Sequence, residues 1–169
     1  MDLNLTNFLQ NPEFGAFLRV LLAGIATALV GLEREVQGKP AGVRTYALVG
    51  MGAAAFTAVG MIGFGSGDPA SRVTQGIITG IGFIGAGTII QRRDQVLGLT
   101  TAAGIWAAAA IGVAIGANLL ILGVGAAIAV VTVLQFLDPR ILVRFGLTSQ
   151  AKVEGRLDAD ADDRTPVKD

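Results

Sequence analysis

Positions 95 to 137 contain no ionisable side chain. Drawn as helix at about 1.5 Å per residue, that stretch runs roughly 65 Å, twice the hydrocarbon core of a bilayer. A domain of 169 residues has no interior large enough to hide it from water. The remaining composition agrees: 52% hydrophobic, 15% charged and a mean hydropathy of +0.63 describe a chain that resides in lipid. The lipid bilayer is therefore its first partner.

Hydropathy windows of about 19 residues give five spans: 14–32, 45–64, 73–91, 97–115 and 117–137. The expected fold is all-α, a polytopic membrane protein of five transmembrane helices with its spanning domain at 14–137. Residues 1–13 form an external N-terminus, and 138–169 a short polar tail expected to be largely disordered. The last two spans are separated only by Gly116 to Asn118, which predicts a tight helical turn. No positive segment precedes the first span, so it does not read as a cleaved signal. Of the 13 Lys and Arg, Arg19 lies in the first span and Arg72 on one side of the membrane, leaving eleven on the other. Positive charge concentrates on the cytoplasmic side, so the N-terminus is expected outside and the C-terminus inside.

Cysteine and histidine are both absent. Thiolate zinc sites, disulfides and His-assisted nucleophiles are thereby excluded, and no enzyme is expected. A metal would meet oxygen ligands only, which suits hard ions such as Mg²⁺ or Ca²⁺ and leaves no other cofactor in view. No basic fold offers a surface for nucleic acid.

Gly80, Gly82 and Gly85 spell G-x-G-x-x-G, the spacing of a dinucleotide phosphate loop. That motif needs a preceding strand and an acidic residue about 20 positions on; here it lies inside a span, and position 100 is Thr100. The glycines serve the bilayer instead. Gly76, Gly80 and Gly87 recur at steps of four and seven, and Gly82 with Ala86 forms a second small pair, so helices can approach closely. The other reading is a break whose freed carbonyls line a polar cavity beside Thr79 and Thr88. Either one puts the third span at the centre of the bundle.

Three segments, "VGLEREVQGKPAGVRTYALVGMGAAAF", "VTQGIITGIGFIGAGTII" and "GLTTAAGIWAAAAIG", follow in an order and spacing that resembles the MgtC/SapB family of bacterial inner-membrane proteins. The resemblance covers about 14–137. It implies a multi-pass protein of the bacterial inner membrane with a role in magnesium homeostasis under scarce Mg²⁺, and in some bacteria in survival inside host cells. Many members carry an ACT-like cytoplasmic domain, for which the tail here is short. Transport of Mg²⁺ and regulation of other membrane proteins are the rival mechanisms that the resemblance implies.

Glu33, Arg34 and Glu35 match the family's G-x-E-R-E pattern at the cytoplasmic end of the first span. They are either a solvated helix end or a functional cluster in which Glu33 faces inward. Adjacent residues do not share a helix face, so Arg34 is expected to point away from Glu33. Glu33 is then free to coordinate a cation, or to pair with Arg44 across the turn formed by Lys39, Pro40 and Gly42. Thr45 continues that turn, and Thr100 and Thr101 are placed to cap the fourth span. Arg19, about five residues into the first span, either snorkels outward or faces the interior. Trp106 is expected to pack among Ala107 to Ala110. No carboxylate lies within a span, which favours a regulatory or binding role over a carrier, and the small-residue faces allow a homodimer.

Overall fold

The computed structural model describes residues 11–65, 67–92 and 95–136. The expected tail at 138–169, the first ten residues, and Arg93 and Asp94 of the loop after the third span lie outside them. Five helices form, α1 (Pro12–Val36), α2 (Val43–Gly63), α3 (Asp68–Ala86), α4 (Leu99–Gly116) and α5 (Leu120–Phe136). Between α3 and α4 runs an antiparallel ribbon, β1 (Ile90–Arg92) and β2 (Gln95–Leu97), with Ile90 opposite Leu97 and Gln91 opposite Val96. The chain up to Val131 is one compact unit, and the last residues of α5 fall in a second.

The helix ends follow from local chemistry. Asn11 caps α1, its side chain accepting from the Glu13 amide at 2.8 Å. Gly38 closes α1 in the left-handed region (φ 67°), with Lys39 N–H bonding Arg34 C=O and Gly38 N–H bonding Glu35 C=O, both at 2.9 Å. Asn118 closes α4 in the same way at φ 66°, Leu119 N–H reaching Ala114 C=O at 2.8 Å. Both are Schellman closures, which satisfy the last carbonyls and turn the chain sharply.

The third span departs from expectation. Hydropathy placed it at 73–91, whereas α3 starts five residues earlier, with Pro69 in its first turn, and ends at Ala86. The Thr88 hydroxyl then takes the Gly85 carbonyl at 2.8 Å, and Ile89 and Ile90 lead into the ribbon. Gly98 (φ 83°) joins the ribbon to α4 with its backbone against the Thr88 carbonyl, where a Cβ would have no room. Thr100 and Thr101 do not cap α4 as expected: the N-cap is Gly98, without a side-chain hydrogen bond.

Packing rests on small residues. The core is mostly alanine, including Ala23, Ala53, Ala54, Ala108 and Ala109, while Phe17, Ile25, Leu29, Leu48 and Phe56 are turned outward. This inverts the soluble arrangement, in which the large side chains are buried, and it is the pattern of helices that meet lipid outside and one another through small residues. α1, α2 and α4, of 25, 21 and 18 residues, are long and apolar enough to cross a membrane. The chain is a membrane protein.

Contacts at the glycines give the helix directions. A Cβ on Gly31 would lie 2.8 Å from Val43 Cα and 2.9 Å from Tyr46 Cβ, and one on Gly24 would lie 2.7 Å from Met51 Cγ, so α1 and α2 are antiparallel. Gly104 meets Tyr46, Gly112 meets Gly50 and Ala53, and Gly116 meets Ala54, so α4 runs parallel to α2. α3 runs against both, with Gly60 against Val73 at one end and Gly85 near Ala102 at the other.

α2, flanked by α1 and α4, is the centre. α3 is not, because a Cβ added at Gly76, Gly80 or Gly82 meets nothing within 4 Å. Its glycines also cause no break: α3 is continuous, and the Thr79 hydroxyl bonds the Gln75 carbonyl of its own helix at 3.0 Å. Trp106 is 52% exposed, not packed among alanines.

These contacts predict opposite outcomes for two equal substitutions. Gly112→Ala puts a methyl against the Gly50 carbonyl and should destabilise by about 1–3 kcal/mol. Gly80→Ala meets open space and should stabilise α3 by about 0.5–1 kcal/mol. Thermal unfolding of the purified variants in one detergent measures both; equal effects would contradict the packing.

Candidate functional site

The antiparallel and parallel pairings bring the C-terminal end of α1 and the N-terminal ends of α2 and α4 to one end of the bundle, where the polar residues gather. Glu33 and Arg34 occupy the last turn of α1 and are 7% and 4% exposed. Arg34 Nη2 donates to Glu33 Oε1 at 2.6 Å, and Arg34 Nε donates to Glu33 Oε2. The pair is bidentate and buried.

This corrects the expectation that neighbouring residues diverge. Side chains this long fold back across one turn, and a guanidinium offers a planar fork that matches both carboxylate oxygens. The burial of both groups supplies the reason: a lone carboxylate at the carbonyl end of a helix, away from water, is strongly disfavoured, and a cation there is favoured. Arg44, the partner expected for Glu33, is exposed in the first turn of α2.

Glu35 has a separate task. Its Oε2 accepts the Val43 amide at 2.9 Å, satisfying a free N–H in the first turn of α2 across the 37–42 turn. A negative group at a helix N-terminus also meets the favourable end of the dipole. Gly42 lies against the same carboxylate, 2.5 Å from its oxygen to a hypothetical Cβ, so a side chain there would displace the cap. Lys39 lies half-buried in this turn, and Thr45 is half-buried in α2.

Sequence reasoning missed Tyr46. Its side chain is fully buried, slotted between Gly31 of α1 and Gly104 of α4. The hydroxyl faces the Thr101 carbonyl at 3.5 Å and lies within electrostatic range of Arg34 and Glu33. Thr101 is buried and Thr100 exposed. The available signal was its rarity: it is the one tyrosine in the chain, set in an apolar run two residues beyond Arg44.

The other expected residues lie elsewhere. Arg19 is half-buried, its Nε donating to the Gly15 carbonyl at 3.2 Å, so the side chain runs back toward the start of α1. Gly85 is buried against Ala102, Gly87 ends α3, and Gly76 and Gly80 line an apolar groove of about 640 Å³ between α2 and α3, with Ala109 of α4.

For Mg²⁺ the fit at Glu33 is poor. Both of its oxygens accept from Arg34, whose charge opposes a cation beside it. Among the described residues, no three acidic side chains converge as metal ligands.

Comparison with known proteins finds sequence relatives of this chain. A family model described as MgtC family matches residues 20–141. YhiD of Escherichia coli (strain K12), whose name proposes magnesium transport, is 43% identical over 125 residues, covering 70% of this chain and 58% of YhiD. SrpB of Synechococcus elongatus is 44% identical over 127 residues, 68% of this chain and 70% of SrpB. MgtC of Brucella abortus is 40% identical over 129 residues, 76% of this chain and 51% of that protein. The chain thus spans between half and three-fifths of the lengths of YhiD and the Brucella protein. No solved structure matches.

If Arg34 is held chiefly to neutralise Glu33, removing one partner should cost far more than removing both. Arg34→Gln is expected to destabilise by about 3–5 kcal/mol, and Arg34→Gln combined with Glu33→Gln to recover most of it. Thermal melts of the single and double variants give the coupling; additive losses would show that the two side chains act separately.

Proposed function

The chain belongs to the MgtC family, and we propose that it is a multi-pass protein of the bacterial inner membrane serving magnesium homeostasis by binding or regulating other membrane proteins. In this reading all five helices cross the membrane, with the N-terminus outside and the polar end of α1, α2 and α4 facing the cytoplasm. The distribution of Lys and Arg supports the orientation.

The observation that carries the choice of regulation over transport is the closed Glu33–Arg34 pair. A path for Mg²⁺ needs carboxylates free to replace part of a tightly held water shell. Here the buried carboxylate is already neutralised by a guanidinium. Glu35, the neighbouring acid, is occupied in capping α2. A polar end fixed in this way, by a bidentate pair, a cap and a buried tyrosine, suits a rigid surface read by another protein.

The alternative is a transporter or channel for Mg²⁺ or another small solute, favoured by the name of YhiD. Its path would run beside α3, whose glycines leave a groove against α2. No enzymatic role is proposed.

Reconstitution separates the two. Purified protein in liposomes holding a Mg²⁺ indicator is expected to show no entry above empty liposomes, under conditions where a known Mg²⁺ channel conducts. Saturable entry, lost in Glu33→Gln at matched protein content, would establish transport and end the regulatory reading.

A further inference from the structure

α3 is amphipathic in the wrong sense for a helix at membrane depth. Asp68, Arg72, Gln75, Thr79, Gly82 and Ala86 recur at alternating steps of four and three, which places them in one stripe, and all six are exposed. The residues that line the groove against α2, among them Ile77, Gly80, Ile81 and Ile84, lie on the opposite face. The polar side of α3 therefore points away from the bundle. Facing hydrocarbon, the Gln75 amide, which lies inside the span, would be strongly disfavoured.

We propose that this stripe is the interface with a second copy of the same chain, the two α3 helices packing in parallel about a two-fold axis. The proposal rests on the membrane placement of α3 given above and is independent of any role in magnesium handling. Charge complementarity identifies the occupant. Asp68 and Arg72 are one turn apart on the stripe, and among the described residues neither has an ion-pair partner. Across a parallel two-fold axis each Asp68 lies level with its counterpart and one turn from the partner's Arg72, so opposite charges alternate along one surface that serves both copies, as an isologous contact requires. One turn deeper, the Gln75 amide carries donors and acceptors that a second Gln75 satisfies. Beyond it the side chains shrink to Thr79, Gly82 and Ala86, letting the backbones approach. The seven-residue repeat is that of a left-handed helix pair, with polar side chains joining helices inside the membrane.

The chain has no cysteine, so single cysteines report without background. Gln75→Cys, Thr79→Cys and Gly82→Cys are expected to form disulfide-linked dimers on oxidation in native membranes, while Ile25→Cys and Leu29→Cys on the outer face of α1 remain monomeric. Gln75→Leu should weaken association, read by subunit-exchange fluorescence in liposomes, roughly 3- to 30-fold. Absence of cross-links along the stripe overturns the proposal. So does rapid reaction of the stripe cysteines with a membrane-impermeant maleimide while Ile84→Cys stays protected, since the stripe would then line water. Equal labelling of Ile84→Cys and Thr79→Cys would instead remove α3 from the membrane and overturn the placement itself.

Discussion

Backbone-to-backbone approach along α2 is the constraint on which the remaining structure depends. Gly24 and Gly31 of α1 press on Met51, Val43 and Tyr46 from one side, and Gly104, Gly112 and Gly116 of α4 press on Tyr46, Gly50 and Ala54 from the other. In a bilayer, helices gain nothing by hiding leucine from lipid, so association comes from close van der Waals contact, which only small residues allow. Polar groups in this tight core are satisfied locally. The Thr27 and Thr57 hydroxyls bond the carbonyls of Ala23 and Ala53 in their own helices, at 2.7 and 2.8 Å, and then present a compact surface to the next helix.

The same contacts assemble the polar end. Because α1 is antiparallel to α2, and α4 is parallel to it, one C-terminus and two N-termini meet, and Tyr46 fills the space that Gly31 and Gly104 leave. The unlike tasks of Glu33 and Glu35, two positions apart, follow from where this junction places them. Glu33 faces inward and must be neutralised, which Arg34 does; Glu35 faces the 37–42 turn and caps α2. Lys39, by contrast, is half-buried in that turn, and Arg44 is exposed at the start of α2.

Hydropathy and charge placed the helices to within a few residues, apart from α3, and pointed to the end of α1 as the polar site. The glycines were harder to read. Of 24 in the chain, Gly76, Gly80 and Gly82, whose spacing drew attention, meet nothing, while the tightly packed Gly31, Gly104 and Gly112 stand in less conspicuous settings. A glycine marks a position where close approach is permitted, and nothing in its spacing says whether a neighbour is there. The ribbon at 90–97 was missed because its apolar residues extend the hydropathy of α3, and a running average does not register the change from helical to extended backbone.

By itself the sequence determined that this chain lives in a membrane and where most of its helices fall. These are sums over local composition, which a bilayer reads without reference to tertiary contacts. Only the tertiary structure decided that α2 rather than α3 is central, that Arg34 rather than Arg44 neutralises Glu33, and that Tyr46 belongs to the site. Each of those outcomes depends on which face of one helix meets which face of another, and such pairings come from the shapes of both surfaces together.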